Sequence, residues 1–405
     1  MLSFVVGVRN RILRLAYVGV IKHVIFLWEP EDAHSKLKAV GKFLGSSGLT
    51  RALTSVLFNY QHSSLNTTVD GVDYPNPLGL SAGFDKDGEL TSIYPELGFG
   101  LAELGSFTGD ITAGNPGRRL FRMKKSKSIL VWYGLNNMGA EKIAARLKYT
   151  KFRIPIGISA AKSNITEDFS LQDSIDDYMK TYTTFADIGH YTTINISCPN
   201  TRDGEPFTDQ KNLQALFDAV RENYVPNKPV YVKLAADLSR EEVEATLDVV
   251  MANRDVINGV VLTNLAKPSG EGKHEIKGDL AYHKGAMSGL PVQRIATTMI
   301  RDVYRYTNGE ITIIGVGGIF TAKDAYEKIC SGANILHMIT GMIFDGPQTM
   351  GEINRGLVKL MKKDGFNSIE EAVGSRNPLP IEPMYKAKQK ENGKTVSLPA
   401  KTAAE

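Results

Sequence analysis

Along residues 76–340 short apolar runs alternate with amphipathic stretches. The runs are Pro77–Ala82, Gly100–Ser106, Pro155–Ala160, Thr192–Ser197, Pro229–Ala235, Gly259–Asn264, Ile311–Gly317 and Ile335–Thr340. Each is near-continuously apolar, the pattern of a parallel strand buried on both faces. Between them lie helical patterns such as "SIDDYMKTYTTFAD", "NLQALFDAVREN", "REEVEATLDVVMAN" and "VQRIATTMIRDVYRYT". Eight strand–helix units most simply close into a (β/α)8 barrel, an open doubly wound sheet being the other arrangement the pattern admits. Ahead of them, residues 28–66 read as amphipathic helices. The chain thus divides into a helical extension (1–66), a barrel (67–385) and a polar tail (386–405) whose composition predicts disorder.

The first 28 residues, "MLSFVVGVRNRILRLAYVGVIKHVIFLW", are apolar but interrupted by Arg9, Arg11, Arg14 and Lys22. No uninterrupted apolar run approaches the roughly 18–20 residues of a spanning helix. Apolar residues mixed only with basic ones suit a helix lying in a membrane interface with its cations toward the headgroups. Peripheral attachment, on the cytoplasmic face, is the expectation. The whole chain has 405 residues and a net charge of +4, too small and too evenly spread for a nucleic-acid footprint. Two cysteines among 405 residues exclude a disulfide framework and point to a reducing compartment. Cys330, in "AYEKICSGA", reads as core.

In such barrels chemistry gathers at the C-terminal ends of the strands. Those ends here carry Lys86, Ser106, Ser159, Asn195 with Cys198, Lys233, Thr263 with Asn264, Gly317-Gly318, and Thr340. "IIGVGGI" and "MITGMIF" put glycine or hydroxyl residues at the tips of the last two strands, where backbone N–H groups can cradle a phosphate. Lys86 and Lys233 would be costly at buried strand ends without an anion to meet. Asn195, Asn200 and Asn264 can both donate to and accept from a planar heterocycle. Cys198, in "NISCPNT", stands between an apolar strand and a proline. None of the seven histidines falls in a pairing position, so a general base suits the thiol better than a nucleophile. His337 reads as core.

These stretches resemble a family. "NPLGLSAGFDKDGE", "GNPGRRLFR", "NISCPNT", "VKLAADLS", "LTNLAKP", "MSGLPV", "IIGVGGI" and "GMIFDGP" are similar to, and in the same order as, motifs of dihydroorotate dehydrogenase, over roughly residues 25–375. "LWEPEDAH" looks like its membrane-associated, quinone-using class. The resemblance implies a barrel holding FMN, oxidation of dihydroorotate to orotate in pyrimidine biosynthesis, and electrons passed to a quinone. It implies Cys198 as the base and Lys86, Asn195, Asn200 and Asn264 around the substrate. Ala82, Gly83, Ser106, Ser159, Asn195, Lys233, Thr263, Gly289, Gly317, Gly318, Thr340 and Gly341 would contact FMN, and His34 and Arg119 would line the quinone entrance. No metal is implied, and the oligomeric state is left open. Four positions depart from the pattern, one of them Ser159, which stands where an FMN-contacting asparagine is expected. The quinone class has serine where Cys198 stands, Val131 takes the place of a substrate-binding asparagine, and Leu265 replaces a hydroxyl residue. The last two leave open an FMN enzyme acting on another dihydropyrimidine or unsaturated ring. A non-catalytic phosphate-binding barrel is the remaining alternative.

Overall fold

A computed structural model of the chain describes residues 2–165, 169–199, 206–280, 284–380 and 384–386. Eight parallel strands close into one barrel: β1 (Leu78–Leu80), β2 (Leu101–Phe107), β3 (Ile156–Ala160), β4 (Tyr191–Asn195), β5 (Val230–Leu234), β6 (Gly259–Leu262), β7 (Thr312–Val316) and β8 (Ile335–Met338). Six fall inside the apolar runs and β2 and β4 each extend one residue beyond theirs, and nearly all their residues are buried, because one face meets the barrel interior and the other meets helices. Register is regular along most of the wall; Thr193 stands opposite Tyr231, and Asn195 opposite Lys233. The covering helices include Leu171–Thr184, Gln210–Glu222, Arg240–Ala252 and Leu290–Tyr306, within three residues of the patterns in the sequence. Three of the helices around the barrel start on reciprocal caps, at Ser170–Asp173, Ser239–Glu242 and Thr321–Asp324, which satisfy backbone N–H groups that a first turn leaves open.

A hairpin, Thr67–Val69 paired with Val72–Tyr74, closes the barrel floor. Its two-residue turn, Asp70-Gly71, has positive φ at both positions (49° and 79°), the geometry for which Asp-Gly is suited. Tyr231 and Thr312 donate to Asp70 Oδ2 from inside the barrel at 2.8 and 2.7 Å, tying plug to wall. At the opposite end, strands Leu120–Met123, Ser128–Val131 and Ala286–Met287 form a small antiparallel sheet beside the mouth.

The N-terminal stretch is a helix over Leu2–Ala16 that continues through a wide π-type turn (Tyr17–Ile21) into Lys22–Ile25. Helices Pro30–Gly45 and Gly48–Phe58 follow. The expectation that the cations of the first helix face headgroups is corrected for Arg9 and Arg14. Arg9 donates to the carbonyls of Val56 and Asn59, and Arg14 pairs with Asp345 (3.0 Å) and Glu352 (2.9 Å). Carboxylates on the barrel hold Arg14 and backbone carbonyls of the extension hold Arg9, so Phe4, Val8, Ile12 and Leu15 are left on the exposed face. Among the described residues no helix is long and apolar enough to cross a membrane. Cys330 is buried in the core, as read. Of the polar tail only Lys386 is described, paired with Glu310 at 3.6 Å; residues 387–405 lie outside the described residues.

Candidate active site

The C-terminal ends of the strands surround a cavity of about 190 Å³. Its walls include Lys86, Asn195, Cys198, Lys233 and Asn264, five positions singled out in the sequence and drawn from loops far apart along the chain. Beside it a smaller cavity is lined by Thr263, Gly289, Gly317, Gly318, Thr340 and Gly341. Ala82 and Lys233 border both spaces, and Gly83 and Ser106 border the larger. Asn200 lies outside the described residues.

Cys198 is half-buried in the loop after β4. That loop is held from both sides. Asn195 accepts from Ser197 N and Oγ (3.3 and 3.1 Å), and Asn264 Nδ2 donates to the carbonyl of Ser197 at 2.7 Å. Tyr178 donates to the carbonyl of Asn195 from the outer helix at 2.8 Å. The same network continues along the wall, with Asn195 Nδ2 donating to Ser106 Oγ at 2.8 Å and Ser106 meeting Ser159 Oγ at 2.7 Å. Ser159 is fully buried behind Ser106 and borders neither cavity.

Lys86 lies above the ring of Tyr133, and the Arg119 guanidinium sits 5.2 Å from the centroid of the same ring. Burial, then the nearby Arg119 charge, pushes the Lys86 ammonium down to about 6. Arg119 makes a two-point contact with Glu31 of the extension, at 3.2 and 2.6 Å. His34, from the same helix, borders the cavity with its ring edge-on to Phe84 at 4.9 Å. Burial, then the Lys86 charge, pushes His34 down to about 4, so it is neutral at physiological pH. The helical extension thus supplies one side of the cavity's approach.

Reading the sequence alone missed Tyr133, Asn136 and Ser288, which also border the large cavity. Ser288 falls within the quoted "MSGLPV" and Asn136 lies five residues after Val131 in "LVWYGLNNMG", where their polarity was the available signal. Val131 and Leu265 do face the cavity, so the departures are real features of its wall.

The residues fit a phosphorylated planar cofactor. Gly289, Gly317 and Gly318 adopt positive φ (81°, 111° and 67°), which keeps side chains off the small cavity's rim. A Cβ on Gly83 would meet only Ile339 Cδ1, at 3.9 Å, so backbone there borders open space. Lys233, almost fully buried, has its closest carboxylate oxygen 3.9 Å away, on Glu103, and its ammonium remains able to donate to a ligand.

A family model described as dihydroorotate dehydrogenase matches residues 64–361. The quinone-dependent dihydroorotate dehydrogenase of a Synechocystis species is 37% identical over 359 residues, covering 85% of this chain and 93% of that protein. The Nostoc punctiforme protein of the same name is 38% identical over 320 residues, covering 77% and 84%. A crystal structure of dihydroorotate dehydrogenase from Eimeria tenella, in complex with ferulenol, shares the fold with a TM-score of 0.76 at 24% identity, over 87% of this chain and 98% of that one. A (β/α)8 barrel with thiol, lysine and amides around one mouth, and this degree of likeness over most of its length, place the chain in the dihydroorotate dehydrogenase family, in its quinone-dependent class.

Proposed function

We propose that the chain oxidises dihydroorotate to orotate with FMN as its bound cofactor and a quinone as the final acceptor, working at a membrane surface. Its quinone-dependent relatives support the reaction. The observation that carries the assignment of roles is the convergence of Cys198, Lys86, Asn195 and Asn264 on one cavity floored by Lys233. FMN, when bound, supplies the ring that takes the substrate's hydride and later releases the electron pair to the quinone.

The chain's own groups do the rest. Dihydroorotate loses the C5 proton to the Cys198 thiolate as the C6 hydride departs, and the bonding pair left at C5 closes the ring double bond. Lys86 meets the substrate carboxylate as a point charge. Asn195 and Asn264 present amides to the ring's alternating carbonyl and N–H groups. Val131, Leu265 and Ile339 keep water from the reacting carbons. Ala82, Gly83, Ser106, Lys233, Thr263, Gly289, Gly317, Gly318, Thr340 and Gly341 hold the cofactor, the glycines letting backbone approach the phosphate. His34 and Arg119 flank the quinone's approach. The exposed apolar side chains of the helical extension rest against lipid.

Adding dihydroorotate to the loaded protein without oxygen tests this. The yellow flavin band should bleach, and a quinone analogue should restore it. In Cys198→Ala the flavin content should be kept while bleaching slows by about 10²–10⁴, the range for loss of a general base. A loaded flavin that dihydroorotate leaves yellow would overturn the substrate, and an unslowed variant would overturn the role of the thiol.

A further inference from the structure

Inside the ring of strands, below the cavity, lie two titratable side chains that the reaction above does not use. Glu103 on β2 and His337 on β8 are both fully buried. Glu103 Oε1 is 3.9 Å from Lys233 Nζ, while Oε2 accepts from Thr193 Oγ1 at 2.7 Å and lies 3.9 Å from His337 Nδ1. On the other side His337 Nε2 is 3.2 Å from the Tyr191 hydroxyl. Glu103 Oε1 and His337 Nδ1 are buried without a hydrogen-bond partner.

The protonation states follow from chemistry. Burial pushes the Tyr191 hydroxyl far up, so it keeps its proton 3.2 Å from Nε2. Burial, opposed by the Glu103 charge, pushes His337 down to about 4, so the ring is neutral, with Nδ1 facing Glu103 at 3.9 Å. Lys233 meets charge from two directions, Glu103 below and Cys198 above, both favouring its ammonium form against a burial that disfavours it. The strands flanking β5 add no charged side chain at this level: β4 contributes Thr193 and Asn195, and β6 contributes Val261. A buried ammonium stripped of its counter-ion gives up its proton far more readily than a paired one.

We propose that Glu103, braced by Thr193 and His337, is a positioning residue that keeps Lys233 charged beneath the cofactor and thereby sets the cofactor's reduction potential. This rests on the FMN reading. A cation favours the more negative, reduced form of a nearby flavin, and the carboxylate partly offsets that cation. Glu103→Gln therefore has a signed consequence. At acid pH the uncompensated ammonium raises the potential. As pH rises the unpaired Lys233 loses its proton, and the potential falls back toward that of the parent, in which Lys233 keeps its carboxylate partner 3.9 Å away.

The test is the midpoint potential of the FMN-loaded protein from about pH 6 to about pH 9, measured against a reference dye. Glu103→Gln should lie above the parent at the acid end and converge on it through an extra inflection. Adding Lys233→Met should abolish that inflection. Should Glu103→Gln fail to fold, Thr193→Val, which removes only the donor to Oε2, should give a smaller shift of the same sign. Profiles parallel to the parent's would overturn the proposal. A parent chain that takes up no FMN would overturn the functional reading, and this inference with it.

Discussion

Lys86 spends its time in two states, and pH chooses between them. In the unliganded site it lies over Tyr133, close to the Arg119 charge, and is pushed down to about 6. Above that pH the amine is mostly neutral. An arriving carboxylate reverses the balance, since an opposite charge within a few ångströms favours the ammonium. Binding of orotate to the loaded protein at about pH 7.5 should therefore take up close to one proton, and affinity should weaken as pH climbs above about 6. Calorimetry in buffers of different ionisation enthalpy counts that proton, and Lys86→Met should lose it; no uptake by the parent would place Lys86 away from the carboxylate. At this scale the sequence disclosed what stands at a strand tip. Lys86 and Cys198 break apolar runs and so announce themselves. Ser159 stands at a strand tip as well, yet Ser106 occupies the space in front of it. Glu103 sits inside "LAELGSF", and the partners that give it meaning, Lys233 and His337, are more than a hundred residues away in the chain. No local pattern could have named them.

Secondary elements were legible in proportion to how local their cause is. Barrel strands are buried on both faces and print that burial as unbroken apolar runs, so all eight could be read. The sheet beside the mouth could not. Its strands have four, four and two residues, and Met287 pairs with Leu130 across more than 150 positions. Only the folded barrel brings those edges together. This sheet also decides the departure at Val131, whose position in strand Ser128–Val131 turns it toward the cavity. If a polar ring lies against it, Val131→Asn should supply the missing partner, worth about 1–1.5 kcal/mol for one hydrogen bond, or roughly tenfold in orotate affinity. Asparagine is poorly suited to a strand, so a cost of up to about 1 kcal/mol in stability should accompany the gain. Equilibrium titration and thermal melting of the loaded variant separate the two effects. Unchanged or weaker orotate binding would mean that Asn136 or Tyr133 already serves that side of the ring.

For the molecule as a whole, the barrel and the helical extension meet at the approach to the cavity. Arg119–Glu31, Arg122 to the carbonyl of Trp28, and the edge-on pair Phe26–Phe344 join them there. Outward from this junction the extension exposes Phe4, Ile12, Leu15, Leu27, Phe43, Leu49, Leu53 and Val56, several of them more than half accessible. Such a concentration of apolar area, continuous with a cavity entrance, is what a surface in contact with lipid requires. Of the cations turned inward, Arg14 fixes the first helix to the barrel and Arg9 fixes it to the end of the neighbouring helix, leaving attachment to the apolar face. Removing residues 1–27 should weaken partitioning onto lipid vesicles by at least about tenfold, since each side chain taken out of water contributes on the order of 1 kcal/mol or more. Some binding should persist through Phe43, Leu49 and Leu53. Flavin reduction by dihydroorotate should change little, because none of the groups bordering the cavity comes from those residues, while turnover with a long-chain quinone should fall. Truncation also strips Arg14 from Asp345, so the paired substitution Phe4→Glu with Ile12→Glu, which leaves those ion pairs in place, should reproduce the loss of partitioning. Vesicle binding by that double variant equal to the parent's would separate the exposed face from membrane attachment altogether.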